Sequence, residues 1–273
     1  MQVSGLFIYP VKSLRGYALP SAEVDELGFV GDRRFMVVDV NGKFQTQRGA
    51  PRMARIATRL EHGMLTLSAD GAGAIEVPTA SDSAAPMRTV SVWKSEGLQA
   101  EDCGDPAAVW LTEFLGFDCR LVRIGERFAR PVLKAAAHPG DLVTFADAVP
   151  ILVISEASLN ELNDRIQENH GEPVPMNRFR PNLVVTDCAA FAEDNWTRAR
   201  VGDIVLRSAG PSARCIITTT DQFTGERGKE PLRTLATFRR DPRDPSDVIF
   251  GTNLIHETKR GTIRVGDRVE FLP

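Results

Sequence analysis

The sequence predicts a predominantly β protein of the α+β class. Short apolar or alternating runs recur along the chain, Gly, Pro and Asp punctuate them, and few stretches carry apolar residues at helical spacing. Strands are expected over residues 2–9, 34–39, 65–67, 89–92 and 121–124, then over 151–154, 182–186, 203–208, 214–219 and 262–271. Helices are expected at 106–115, which follows an Asp, at 158–168, which opens on a capping residue, and at 231–240, where Pro holds a first-turn position. The fold expected is a β-barrel-like first unit followed by a second barrel with peripheral helices.

With 273 residues, 42% hydrophobic and 25% charged, the chain can bury two modest cores. Residues 70–86 and 127–141 are rich in small residues and Pro, and read as loops or boundaries. Placing the division at the second of them gives domains of 1–125 and 126–273. The 33 Lys+Arg nearly balance 36 Asp+Glu, so bulk charge does not point to nucleic acid or a membrane surface. Anion binding must come from a local cluster. The opening residues lack a basic region and their apolar run is cut at Pro10 and Lys12, which predicts a cytoplasmic protein. Cys103, Cys119, Cys188 and Cys215 lie far apart, which excludes a ferredoxin-type cluster and a structural zinc site. P-loop, GxGxxG, HExxH and GxSxG patterns are absent, and the four histidines have no metal-ligand spacing, so a histidine metallohydrolase or serine hydrolase is not expected.

Candidate functional residues gather at turns and strand ends. Cys215 lies between Arg214 and Ile216, in a stretch read as a strand or strand entrance after Gly210-Pro211. A cysteine beside isoleucine is commonly a small core residue. Arg214 and the polar stretch 221–230 favour another reading, because adjacent positive charge favours the thiolate, which binds soft metals. Cys103 and Cys188 follow Asp102 and Asp187, whose charge acts the other way, and are read as structural.

Tyr9-Pro10-Val11-Lys12-Ser13 ends a strand in a turn carrying an ammonium and a hydroxyl, either a plain surface turn or an anion contact. Arg33, in Gly31-Asp32-Arg33-Arg34-Phe35, precedes an apolar strand, and Thr46-Gln47-Arg48 is placed to add a further basic group to that edge. In Asn177-Arg178-Phe179-Arg180-Pro181-Asn182, an extended chain puts both arginines on one side. Guanidinium forks match phosphate oxygens and amides match ring edges, so the set suits an anion with a planar heterocycle, or forms a solvated rim. Ser155 and Ser158 open the second helix, where their hydroxyls either meet an anion or cap the helix.

Five motifs, Tyr9-Pro10-Val11-Lys12-Ser13, Gly31-Asp32-Arg33-Arg34-Phe35, Phe179-Arg180-Pro181-Asn182, Arg214-Cys215 and Lys229-Glu230-Pro231-Leu232, stand in an order that resembles MOSC-domain proteins with an N-terminal β-barrel domain. The mitochondrial amidoxime-reducing components and their bacterial relatives are of this kind, and the resemblance runs along nearly the whole chain. It implies a molybdenum–molybdopterin cofactor whose metal is bound by Cys215. Lys12, Ser13 and Arg33 look like the family's cofactor contacts from the first domain, and Ser155, Ser158, Arg180, Asn182 and Arg214 like those from the second.

The implied activity is two-electron reduction of N-hydroxylated compounds such as amidoximes and hydroxylaminopurines, with water or a carboxylate such as Asp147 as proton source. Some bacterial relatives carry a ferredoxin domain for which this chain lacks the cysteines, so electrons are expected from a separate ferredoxin-like, flavin or cytochrome protein. A molybdenum-cofactor carrier, or a persulfide carrier using Cys215, is the alternative.

Overall fold

In a computed structural model describing residues 1–273, strand Gln2–Ile8 lies between Leu183–Thr186 and the short Tyr17–Leu19, antiparallel to both. The beginning of the chain is therefore built into the sheet of its second half. That nine-stranded sheet runs in the order Val269–Phe271, Arg198–Val201, Ile204–Arg214, Asp244–His256, Ile151–Ser155, Leu183–Thr186, Gln2–Ile8 and Tyr17–Leu19, with Arg240–Asp241 pairing on Asp244–His256. Ile151–Ser155 and Leu183–Thr186 are parallel, and the helix Glu156–Glu168 makes the crossover between them.

Alternation sorts side chains across this sheet. Ile151 and Val153 join Leu6, Ile8 and Leu183 in one core, while Ile154 faces Leu162, Ile166, Phe179 and Phe250 on the helical side. The first half holds an antiparallel sheet of Phe35–Val38, Arg120–Arg123, Ser95–Asp102 and Met87–Val92, and a three-stranded meander of Ala57–Glu61, Met64–Ala69 and Gly73–Pro78. Phe35 and Val37 pack under the meander and helix Asp105–Leu115, whereas Met36 and Val38 enter a separate core with Val90, Val122 and Phe145. Both faces of that strand are buried, which is why it reads as an unbroken apolar run.

The predominantly β architecture matches the expectation, and four local readings need correction. Residues 262–271 form two strands in different sheets, Gly261–Arg264 and Val269–Phe271, because the Val265-Gly266 turn interrupts them. Residues 70–86 contain the strand Gly73–Pro78, where Val77 is the single buried side chain; an edge strand with so little buried surface carries a thin signal. The central strand Asp244–His256 is not among the expected strands because Gly251 and Asn253 interrupt its apolar run. Residues 214–219 do not continue as a strand: Ile204–Arg214 ends before Cys215, and Ile216–Thr219 coils into a 3-10 turn. The Cys215 carbonyl accepts the Thr218 amide at 3.0 Å and the Thr218 hydroxyl at 2.9 Å, so local bonding overrides the β preference of Ile and Thr.

Gly251 allows Asp244–His256 to pass its neighbour. Its φ is +78°, and a Cβ there would stand 2.6 Å from Ile154 Cγ1 and 2.7 Å from the Val153 carbonyl oxygen. Gly251→Ala is expected to lower stability by about 1–3 kcal/mol, read as a fall in the urea midpoint with an unchanged slope.

Candidate active site

The two halves meet along a cleft of about 280 Å³ whose wall includes Cys215. Six cationic side chains line it, Lys12, Arg33, Arg48, Lys134, Arg180 and Arg214, against one carboxylate, Asp147. A near-neutral protein thus concentrates positive charge in one place, as anion recognition requires.

The turn after Gln2–Ile8 supplies the first wall. Tyr9 is 3% exposed, and its ring is sandwiched by two guanidinium groups, Arg33 at 4.3 Å and Arg180 at 4.2 Å from the centroid. Its hydroxyl donates to the Pro181 carbonyl at 3.1 Å, and burial pushes its pKa up to about 12, so it stays a neutral donor. Arg33 donates to Asp32 at 2.6 Å, to Asn182 Oδ1 at 3.0 Å and to the Arg180 carbonyl at 3.2 Å. Asn182 also donates to the Phe7 carbonyl at 3.2 Å. Arg33 and Asn182 are therefore largely occupied with bracing the two halves.

Arg180 and Arg214 are held differently. Arg180 Nη1 donates to the Leu14 carbonyl at 2.7 Å, and Arg214 Nη2 to the Phe179 carbonyl at 2.5 Å. Carbonyl acceptors satisfy an N–H without cancelling the charge, and burial lowers both groups to about 10. Arg48 Nη1, Arg180 Nη2 and Arg214 Nε are buried with no hydrogen-bond partner. Buried donors of this kind are costly unless a ligand accepts from them. Ser13, Arg33 and Arg180 all adopt left-handed φ, at 65°, 49° and 56°, a strained backbone state that gathers at functional sites.

At the opposite wall Arg48 Nη2 lies 3.1 Å from Cys215 Sγ and 3.6 Å from Asp147 Oδ2. Gln47 sets its position: its amide donates to the Ser13 carbonyl at 2.8 Å and pairs reciprocally with Gln222, and Arg227 donates to the Arg48 carbonyl at 2.6 Å. Lys12 is 4% exposed and donates to the Phe145 carbonyl at 2.8 Å and to Asp147. Burial lowers the Lys12 ammonium to about 8, with Asp147 opposing that shift. Asp147 shows the converse: desolvation in the cleft raises its carboxyl, but Lys12 and Arg48 outweigh it and hold Asp147 below the usual carboxylate range.

Of the residues predicted from sequence, Lys12, Ser13, Arg33, Arg180, Asn182, Arg214 and Cys215 all reach the cleft. Ser155 and Ser158 do not. Both are fully buried; Ser155 Oγ caps the helix by accepting the Ser158 amide at 3.0 Å, and Ser158 Oγ accepts the Phe191 amide at 2.7 Å. Arg178 is also diverted, because Met176–Arg178 is a 3-10 turn and the side chain binds the Thr219 carbonyl and Asp221. Gln47, Gln222 and Trp93, whose indole donates to Asp147 at 3.1 Å, carried no sequence signal beyond their residue type.

A cysteine in a cation-lined cleft between two β units defines the class: residues 1–118 match the MOSC N-terminal beta barrel domain and residues 141–270 match the MOSC domain. Mitochondrial amidoxime-reducing component 1 of Mus musculus is 37% identical, with 99% of this chain and 82% of that protein aligned. Component 2 of Bos taurus is 36% identical over 98% and 82%, and component 1 of Homo sapiens 35% identical over 99% and 82%. The chain belongs to the amidoxime-reducing component family of MOSC-domain proteins.

Because burial lowers Lys12 to about 8, affinity in the cleft for sulfate, whose own charge is constant over this range, is expected to hold below that pH and fall above it. Titration calorimetry from pH 6.5 to 9 reads this directly, and Lys12→Gln should bind more weakly with the step removed. A step of equal size in the variant assigns the titration to another group.

Proposed function

We propose that the cleft binds a molybdenum–pterin cofactor with Cys215 as the protein ligand to the metal, and that the protein reduces N-hydroxylated compounds such as amidoximes and hydroxylaminopurines. One observation carries the reading: a cysteine sulfur shares a cleft with six cations, three of them with buried N–H groups that lack partners. That donor set fits an anionic, phosphate-bearing group beside a soft metal. When bound, such a cofactor supplies a two-electron metal centre.

The chain's own residues then divide the work. Lys12, Ser13, Arg180 and Arg214 face the anionic groups, while Arg33 and Asn182 hold the two walls in register. Arg48 donates toward the Cys215 sulfur and places positive charge beside it. Reduction of N–OH to N–H and water consumes two electrons and two protons. Lys12 Nζ, lowered by burial to about 8, is the group that holds a proton at neutral pH and can release it to the leaving oxygen, while Asp147 stays ionised and positions the ammonium. The electrons come from a separate redox protein of ferredoxin-like, flavin or cytochrome type.

Elemental molybdenum and amidoxime turnover with an artificial electron donor test this in protein made in a molybdenum-competent host. Near-stoichiometric metal with turnover, both lost in Cys215→Ser, is the expected result. Metal retained without turnover would instead indicate a cofactor carrier, and a metal-free protein in that host would remove the cofactor assignment. Arg180→Ala is expected to lose a charged hydrogen bond to the cofactor, about 1.5–3 kcal/mol, and so to purify with clearly reduced molybdenum. Full occupancy in that variant would exclude Arg180 as a cofactor contact.

A further inference from the structure

Trp93 sits at the tip of the hairpin joining Met87–Val92 to Ser95–Asp102, in a left-handed conformation with φ of 53° that a bulky residue rarely adopts. Three contacts fix its ring. Nε1 donates to Asp147 Oδ1 at 3.1 Å, the Arg48 guanidinium lies 4.5 Å from the ring centroid, and Phe44 packs at 5.0 Å with a 60° tilt. Despite these contacts the residue remains 45% exposed, bordering two cleft residues without lining the cleft floor.

Supporting Arg48 and holding Asp147 account for these contacts but not for the exposure of the ring. An indole that served only to hold Asp147 would gain by burial, and one that served only as surface would not need a strained turn. The cleft itself is cationic, and the aromatic ring lining it, Phe179, is 1% exposed and packed on Phe250 at 4.3 Å. Trp93 thus offers exposed aromatic surface beside Asp147, already immobilised, so that stacking a ligand on it costs little side-chain entropy.

We propose that Trp93 is a specificity-determining platform on which the planar ring of aromatic and heteroaromatic N-hydroxylated substrates stacks, bringing their N–OH group toward Asp147 and Cys215. This rests on the reductase reading above. Two variants separate stacking from an indirect effect through Asp147. Trp93→Phe removes the Nε1 hydrogen bond and keeps an aromatic face; Trp93→Leu removes both.

With an aromatic amidoxime, Trp93→Leu is expected to raise KM about tenfold, and Trp93→Phe to restore most of the loss. With an aliphatic amidoxime the two variants should behave alike, since both lack the donor to Asp147. Equal behaviour of the two variants on the aromatic substrate would overturn the platform. A second readout is independent of turnover. Of three tryptophans, Trp196 is 3% exposed and Trp110 is half-buried, so saturable quenching of emission by the aromatic amidoxime should disappear in Trp93→Phe. Wild-type protein that shows this quenching but reduces neither amidoxime would sink the reductase reading and keep the platform. Turnover without quenching would do the reverse.

Discussion

Everything at the site depends on the pairing of Gln2–Ile8 with Leu183–Thr186. The antiparallel register sets Leu6 opposite Leu183, and the two chains then leave the sheet together, one into Tyr9–Ser13 and the other, read backward, into Asn182 and Arg180. Residues 149 and 166 positions apart in sequence are thereby fixed as neighbours, and the Arg33–Asn182 and Arg180–Leu14 hydrogen bonds lock the contact. The hydrophobic core under the strand, with Val3, Leu6 and Ile8 all nearly inaccessible, makes the register hard to shift, since a one-residue slip would turn these side chains outward.

Gathering six cations in one cleft runs against both self-repulsion and desolvation. The chain manages this by two devices. Where structural bracing is needed, a carboxylate neutralises the arginine, as Asp32 does for Arg33. Where charge must be kept, as at Arg180 and Arg214, backbone carbonyls take the N–H groups and leave the positive potential intact. The lowered pKa values of Arg180, Arg214 and Lys12 record the cost, and the unpartnered guanidinium nitrogens show where an anion would offset it. The cleft is thus preorganised at the expense of the free protein's stability, as binding sites commonly are.

Around this charged floor, aromatic rings serve as supports for cations. Tyr9 separates Arg33 from Arg180, and Trp93 underlies Arg48. A π face attracts a guanidinium without neutralising it, so the rings order long flexible side chains while the field in the cleft survives. The same arrangement places Asp147 among Lys12, Arg48 and Trp93, which holds the lone carboxylate of the cleft in its ionised form next to a lysine lowered by burial to about 8.

The β-rich class, the strand cores and most of the residues that line the cleft are legible in the sequence alone. Lys12, Ser13, Arg33, Arg180, Asn182, Arg214 and Cys215 were legible because turn residues, paired arginines and a lone cysteine between them are local patterns. Tertiary structure alone decided which of them meet. Ser155 and Ser158 share the composition of an anion site, yet burial and helix capping consume their hydroxyls. Arg178 stands two residues from Arg180, yet a 3-10 turn rotates it toward Asp221. Gln47, Gln222 and Trp93 could not be read at all, because an amide or an indole acquires its role from a partner far along the chain, and periodicity encodes only neighbours a turn or a strand apart.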